Sequence, residues 1–441
     1  MQMPLIKDTS HVIFYRIVLG MILLATDVVL GRALGPTLKG YYYIMYITPI
    51  LLATVATLGL DYSLNYHGHK SPESTISMFR TALILGECAS IILCVVLFLD
   101  IGGLRSFVYR GIPDSFQKEI IISIVILPVE VFTLLSAMLV ITLGQPVVYA
   151  KMRIVRSLVI LIGVFFVLHL ILRGLAKYYI SGLLILQIAA AMMGLLYCLR
   201  AVGFEWGKKK FRIYPLLRTS VGAFPARVSE RYQSRIGAIL LGLLGSGFEV
   251  GIFSVGLAIS EILFFISGSI SSVLFSRNLR KNREIHIIVF RLMIPLSIFL
   301  AIIAAGVSSL AIPLLYGPLF YKSVIILWLL TPGVVSASIM HTILPYMVQK
   351  GFSYIISIAQ LIAITANVAI SVILIRSYQS IGVAIASSFS YSLTIITLLS
   401  WLAILEHKTL FELVIVKRSD INMLIAVIKK IMKKDTFMPS K

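Results

Sequence analysis

Charged residues make up only 13% of this 441-residue chain, so those that stand inside long apolar runs are conspicuous. Arg227, Arg231 and Arg235 are spaced four apart, with Glu230 among them. On an α-helix this spacing keeps three side chains within about 80° of one face, spread over roughly 12 Å of its length. A guanidinium binds phosphate oxygens in pairs and stays charged throughout, so a stripe of this kind suits an anionic, phosphate-bearing ligand. Arg16 and Asp27, eleven residues apart, share a face of another apolar run. Glu87, Glu130 and Glu261 stand singly near the middles of three more. A desolvated carboxylate holds its proton more tightly and can exchange H+ or Na+, so Asp27, Glu87, Glu130, Glu230 and Glu261 are the ion-coupling candidates. The alternative for Glu87, Glu130 and Glu261 is a packing pair with a neighbouring helix, and for Glu230 an ion pair with Arg227 on the adjacent turn. For the arginines it is snorkelling to the membrane edge, Arg16 from the start of its run and the others if their helix begins only near Arg235.

Covalent chemistry has no comparable foothold. There is no Gly-rich loop ending in Gly-Lys-Ser/Thr, no Gly-x-Ser-x-Gly and no His-Glu-x-x-His. Cys88, Cys94 and Cys198 lie in apolar runs without metal spacing, and His67 and His69 lack further ligands. No metal site and no cofactor is expected, and the chain does not read as an enzyme.

The elements that must carry these residues follow from hydropathy. Hydrophobic residues make up 59% of the chain, with a mean hydropathy of +1.00. Both values exclude an ordinary water-soluble fold. A bilayer core takes about 20 apolar residues per helical crossing. Runs of that order cover 12–30, 41–60, 81–99, 120–143, 154–172 and 179–199, then 250–274, 287–315, 324–348, 354–375 and 381–405. The stretch 216–244, which holds the arginine triplet, is more polar. If it spans, twenty-six of the 39 Lys and Arg fall on the even loops and both tails, and nine on the odd loops. Without that crossing the asymmetry vanishes, so the positive-inside rule predicts twelve helices with both termini cytoplasmic. The net charge of +21 then reports orientation and not nucleic-acid binding. Only Lys7 precedes the first run, and no small-residue cleavage site follows it, so that run reads as a retained helix.

The expected organisation is an N-terminal lobe, 1–200, a basic linker, 201–215, a C-terminal lobe, 216–406, and a basic tail, 407–441. Within the tail, 417–434 alternates apolar and basic residues and suits a helix lying on anionic lipids, or else a solvated tail. Polar connections of about twenty residues at most leave no soluble domain.

Two connections about 210 residues apart echo one another. Leu34-Gly35 is followed by Lys39-Gly40-Tyr41-Tyr42, and Leu244-Gly245 by Val250-Gly251-Ile252-Phe253. Each joins the first two helices of a six-helix half, which implies parallel repeats about an axis along the membrane normal. Here the sequence resembles the multidrug/oligosaccharidyl-lipid/polysaccharide (MOP) exporter superfamily, and within it the Wzx-type polysaccharide flippases. The likeness rests on Gly31-Arg32-Ala33-Leu34-Gly35-Pro36 with Lys39-Gly40-Tyr41-Tyr42, and on Gly251-Ile252-Phe253. Further on it rests on Leu314-Leu315-Tyr316-Gly317 with Phe320, Leu327, Leu330, Pro332 and Gly333, and on Asn367, Ile375, Gly382, Ala384, Ala386 and Ser387. The usual proline is absent at Ile375-Arg376-Ser377.

The resemblance implies an all-α membrane protein of two pseudo-symmetric six-helix lobes around a central cavity that opens alternately to either side. It implies an undecaprenyl-diphosphate-linked oligosaccharide as cargo, the O-antigen or capsule repeat unit, carried across a bacterial inner membrane. The polymerase and glycosyltransferases of the same pathway would be its partners. A drug or cation antiporter of the same superfamily would need an acidic cavity, and a membrane polymerase would need a large outer loop. The basic stripe and the short loops favour the flippase.

Overall fold

The computed structural model describes residues 3–172, 179–202, 213–276, 283–350, 352–407, 409–417 and 420. Among them the chain is helical throughout its elements. These are α1 (Met3–Ala56), α2 (Leu60–Lys70), α3 (Thr75–Phe98), α4 (Leu104–Val108), α5 (Gln117–Thr142), α6 (Pro146–Leu172), α7 (Tyr179–Val202) and α8 (Ile213–Gln233). They continue with α9 (Ile236–Leu244), α10 (Gly247–Ser276), α11 (Arg283–Tyr316), α12 (Lys322–Gln349), α13 (Ser353–Tyr378), α14 (Ser380–Glu406) and α15 (Leu410–Val414).

Among the described residues, eight segments are long and apolar enough to cross a bilayer by length and composition alone. One of them is α1, whose 54 residues extend roughly 80 Å, more than two hydrocarbon thicknesses. It kinks at Gly35, where φ is 66° and ψ 175°, and so provides two crossings. The joint expected as a connection is therefore helix on both sides of one glycine. With α6, α8 plus α9, and α10, the crossings number twelve. Helices α1 to α7 form one six-helix lobe and α8 to α14 the other, and the lobes meet most extensively along α1 and α10, and also at α2 and α8.

Two expected boundaries move. The fifth crossing, α6, begins at Pro146 and not at 154, so Lys151, Arg153 and Arg156 are helical and not loop residues. Proline at a first helical position costs no hydrogen bond, which allows the earlier start. Arg291 is likewise inside α11, where it is buried and meets Asp420 at 3.3 Å and the Glu412 carbonyl oxygen. That contact, with the capping box of Thr409 and Glu412 on α15, ties the start of the tail to the lobe. Most of the linker 201–215 and of the tail 407–441 lies outside the described residues.

The two echoing segments meet each other. A Cβ on Gly40 would stand 1.8 Å from the Gly247 carbonyl oxygen, and one on Gly251 would stand 1.9 Å from the Pro36 carbonyl oxygen. Gly40 pairs with Gly251 under the repeat, and Pro36 with Gly247. The two contacts are thus the same contact seen from each lobe, the self-complementary pattern of a two-fold interface. It lies at the face opposite the start of α1. On that face Arg32 donates to the Leu315 carbonyl at 2.6 Å and to that of Leu314, crossing between lobes.

At the opposite face the lobes also touch, at α2 and α8. There Ser63 donates to the Leu216 carbonyl at 2.7 Å, and Ser220 donates to the Leu58 carbonyl.

Gly40→Val cannot keep the far contact, because its side chain would overlap backbone that has no rotamer to yield. Spin labels at the exposed Phe107 and Leu319, one on each lobe at that face, should report a longer and broader distance in the variant than in the parent. Superimposable distributions would show that the glycine contact does not hold the lobes together.

Candidate functional site

The seventh crossing is two helices. α8 ends at Gln233 and α9 starts at Ile236, with Arg235 between them. The expected single stripe of Arg227, Arg231 and Arg235 is therefore interrupted before its last member. Pro225 sits within α8 and does not end it.

Each arginine has its own environment. Arg227 is buried, and its Nε lies 2.7 Å from Oδ2 of Asp61 on α2. A second nitrogen meets Glu230 at 3.1 Å, and Tyr62 donates to the same carboxylate at 3.2 Å. This group spans the two lobes close to the face where α1 begins. Arg235 is held by Glu261 of α10 at 2.8 Å and donates to the Tyr43 hydroxyl at 3.0 Å.

Arg231, between them, is half-exposed and has no carboxylate at ion-pair distance among the described residues. It acts electrostatically on the Tyr149 hydroxyl, as do Arg16 of α1 and Arg153 of α6. The Arg153 guanidinium lies 6.0 Å from the centre of the Tyr149 ring. Arg16 and Arg153 are also half-exposed and, among the described residues, have no carboxylate partner. His341 of α12 feels both Arg16 and Glu230, which brings the second lobe to the same place. Three guanidinium groups, from α1, α6 and α8, thus act on the Tyr149 hydroxyl, and Arg153 lies over its ring.

The acidic candidates divide in a similar way. Glu130 of α5 is buried and paired with Arg156 of α6. Asp27 takes a hydrogen bond from Lys39 at 2.7 Å and another from Tyr316 at 2.8 Å. Lys39 is only 2% exposed, with its ammonium 4.9 Å from the centre of the Tyr316 ring. This second inter-lobe group stands beside the glycine contact. Glu261 and Glu230 hold Arg235 and Arg227, as described. Glu87 is the exception: its hydrogen bond is with Ser90 on its own helix, and its other oxygen has no partner. It lies on α3, which packs within its own lobe.

Sequence reasoning passed over Tyr149, Arg153, Arg156, Asp61 and Lys39. Pro146 followed by apolar 147–150 was the available signal that the basic residues after it belong to a crossing. For Asp61 there was none, because Arg227 is 166 residues away, and for Lys39 the twelve-residue spacing from Asp27 does not reveal a pair across the kink at Gly35. No group of three or more His, Cys, Asp or Glu suited to a metal ion occurs among the described residues.

A family model described as polysaccharide biosynthesis protein matches residues 5–277, more than half of the chain. No curated protein matches by sequence. Among solved structures the fold is similar to the lipid II flippase MurJ in an inward closed conformation. That match has 16% identity, 98% of this chain and 93% of that chain covered, and a TM-score of 0.74. It is similar also to the eukaryotic MATE transporter AtDTX14, at 14% identity with 93% and 97% covered and a TM-score of 0.66. A multidrug resistance MATE family transporter of the MOP superfamily in an inward-facing conformation matches at 13% identity, with 88% and 97% covered and a TM-score of 0.57. The chain belongs to the polysaccharide biosynthesis protein family, and is a multi-pass membrane protein with the two-lobe, twelve-helix architecture of the MOP superfamily.

Proposed function

We propose that this protein moves an undecaprenyl-diphosphate-linked oligosaccharide across a bacterial inner membrane by alternating access, and that Arg16, Arg153 and Arg231 hold the diphosphate. The observation that carries this reading is the contrast among the inter-lobe arginines. Arg156, Arg227 and Arg235 are neutralised by Glu130, Asp61 with Glu230, and Glu261. The three that act on Tyr149 have no carboxylate at ion-pair distance among the described residues. A diphosphate is anionic and must pass the low-dielectric midplane, so fixed cations there replace the water it leaves behind. The family match, to polysaccharide biosynthesis proteins, supports a saccharide cargo. The glycosyltransferases that build such a unit and the polymerase that consumes it would act on either side of this step. Both termini lie in the cytoplasm on this reading, with the lobes being 1–200 and 216–406.

Coupling to H+ or Na+ falls to the acids. Asp27, Glu130, Glu230 and Glu261 each hold a cationic side chain in the present state. An ion that replaces such a partner on the carboxylate also frees an arginine or lysine, so ion uptake and rearrangement become one event. Glu230 is the most exposed of the four, with 44% of its side chain accessible, and lies next to Arg231 in sequence.

Arg231→Ala should weaken binding of undecaprenyl diphosphate to the purified protein about 10- to 100-fold, the equivalent of losing a charge-assisted contact of roughly 1.5–3 kcal/mol. Arg231→Lys should restore only part of it, since an ammonium lacks the bidentate fork. Calorimetric titration with membrane expression as the control checks this, and unchanged affinity in the Ala variant removes Arg231 from the site. In proteoliposomes, transport of the lipid-linked saccharide should follow an imposed proton or sodium gradient, and Glu230→Gln should lose that response while still binding the lipid. Transport by the parent protein that ignores both gradients would end the coupling proposal.

A further inference from the structure

Outside the inter-lobe site, a groove of about 530 Å³ opens on the outer surface of the N-terminal lobe, where α6 and α7 lie side by side. Its lining is Val155 of α6 with Met193, Leu196, Tyr197, Arg200 and Ala201 of α7. The five α7 positions follow the i, i+3, i+4, i+7, i+8 rule of a single helical face, so the groove runs about 12 Å along that helix. Its volume lies within the 300–1,000 Å³ typical of small-molecule sites.

The walls have a definite polarity. Gly194 draws the helices together, since a Cβ there would stand 3.3 Å from the Met152 carbonyl oxygen and 3.4 Å from the Arg156 Cβ. Two turns further on, the small side chain of Ala201 leaves the space open. The exposed Met193 and Leu196 stand further from the end of α7, and the exposed Arg200 stands two residues before it. Helix α6 starts at that same face, and its exposed Lys151 lies one turn before Val155. The groove therefore has an apolar trough at hydrocarbon depth and cations at headgroup level.

We infer that this groove is a binding site for an anionic phospholipid of the surrounding leaflet, with the phosphate at Arg200 and one acyl chain along Met193, Leu196 and Tyr197. A basic pocket between membrane helices selects an anionic headgroup by charge, while the trough takes the chain by burial of apolar surface. A zwitterionic lipid meets the same trough with no net charge to offer Arg200, so it fills the groove without preference. The site is distinct from the arginine cluster around Tyr149 and does not depend on the cargo proposed above.

The test is native mass spectrometry of the intact detergent-solubilised protein, titrated with dioleoylphosphatidylglycerol or with dioleoylphosphatidylcholine. The parent protein should retain one phosphatidylglycerol at concentrations about fivefold below those needed for phosphatidylcholine, the preference that one cation at the membrane surface confers. Arg200→Ala should remove the preference, Arg200→Lys should keep it, and Ala201→Phe should lower retention of both lipids by filling the trough. Circular dichroism melting identifies any variant that is misfolded, and the Lys variant keeps the test decisive if the Ala variant is. Equal retention of the two lipids by the parent overturns the inference, as does an undiminished preference in Arg200→Ala. Displacement of phosphatidylglycerol by equimolar undecaprenyl diphosphate also overturns it, since the groove would then belong to the carrier.

Discussion

A charge inside a bilayer is stable only when it is paired or wetted, and the arrangement of this protein follows from that constraint. Removing one partner of a buried ion pair typically costs about 3–5 kcal/mol, because the other charge is left without compensation. The chain meets the demand with long-range pairs: Asp27 with Lys39, Glu130 with Arg156, Asp61 with Arg227 and Glu261 with Arg235. Three of these four sets join the lobes directly: Asp61 with Arg227 near one face, Asp27 with Lys39 and Tyr316 near the other, and Glu261 with Arg235 and Tyr43. Holding the lobes together and solvating the charges are thus partly the same task.

The pairing also sets what remains unpaired. Once Arg227 and Arg235 are neutralised, Arg231 is left between them, joined by Arg16 and Arg153 at Tyr149. The cationic character of the inter-lobe space is therefore local and not spread along a helix. Local charge of this kind fits one phosphate group better than it fits a long polyanion. The three cations stand on α1, α6 and α8, helices of both lobes, so that movement of one lobe against the other alters the distances between them.

The glycine contact supplies the complementary feature. Side-chain pairs tolerate small shifts by changing rotamer, whereas Gly40 against Gly247 and Gly251 against Pro36 is backbone on backbone and is either made or broken. An all-or-none contact at one face, related to itself by the internal repeat, suits a structure that alternates between two arrangements. The kink at Gly35, whose φ of 66° a β-carbon would disfavour, turns the chain immediately before this contact.

Hydropathy and loop charge by themselves determined that this chain crosses a membrane many times. Both signals are sums over many residues, so single misplacements such as Lys151, Arg153 and Arg156 do not upset them. The repeat around Gly35 and Gly245 was likewise visible, because local backbone demands leave local residues. What tertiary structure alone decided was which charges meet. The i, i+4, i+8 spacing of Arg227, Arg231 and Arg235 describes one helix face, but their fates depend on Asp61, Glu261 and Tyr149, up to 166 residues away in the chain. Pair energies in a low dielectric depend on distances of a few ångströms between helices, and sequence spacing constrains only distances along one helix. The break of the seventh crossing at Ser234-Arg235 belongs to the same class, since Arg235 leaves the helical line where Glu261 and Tyr43 receive its guanidinium.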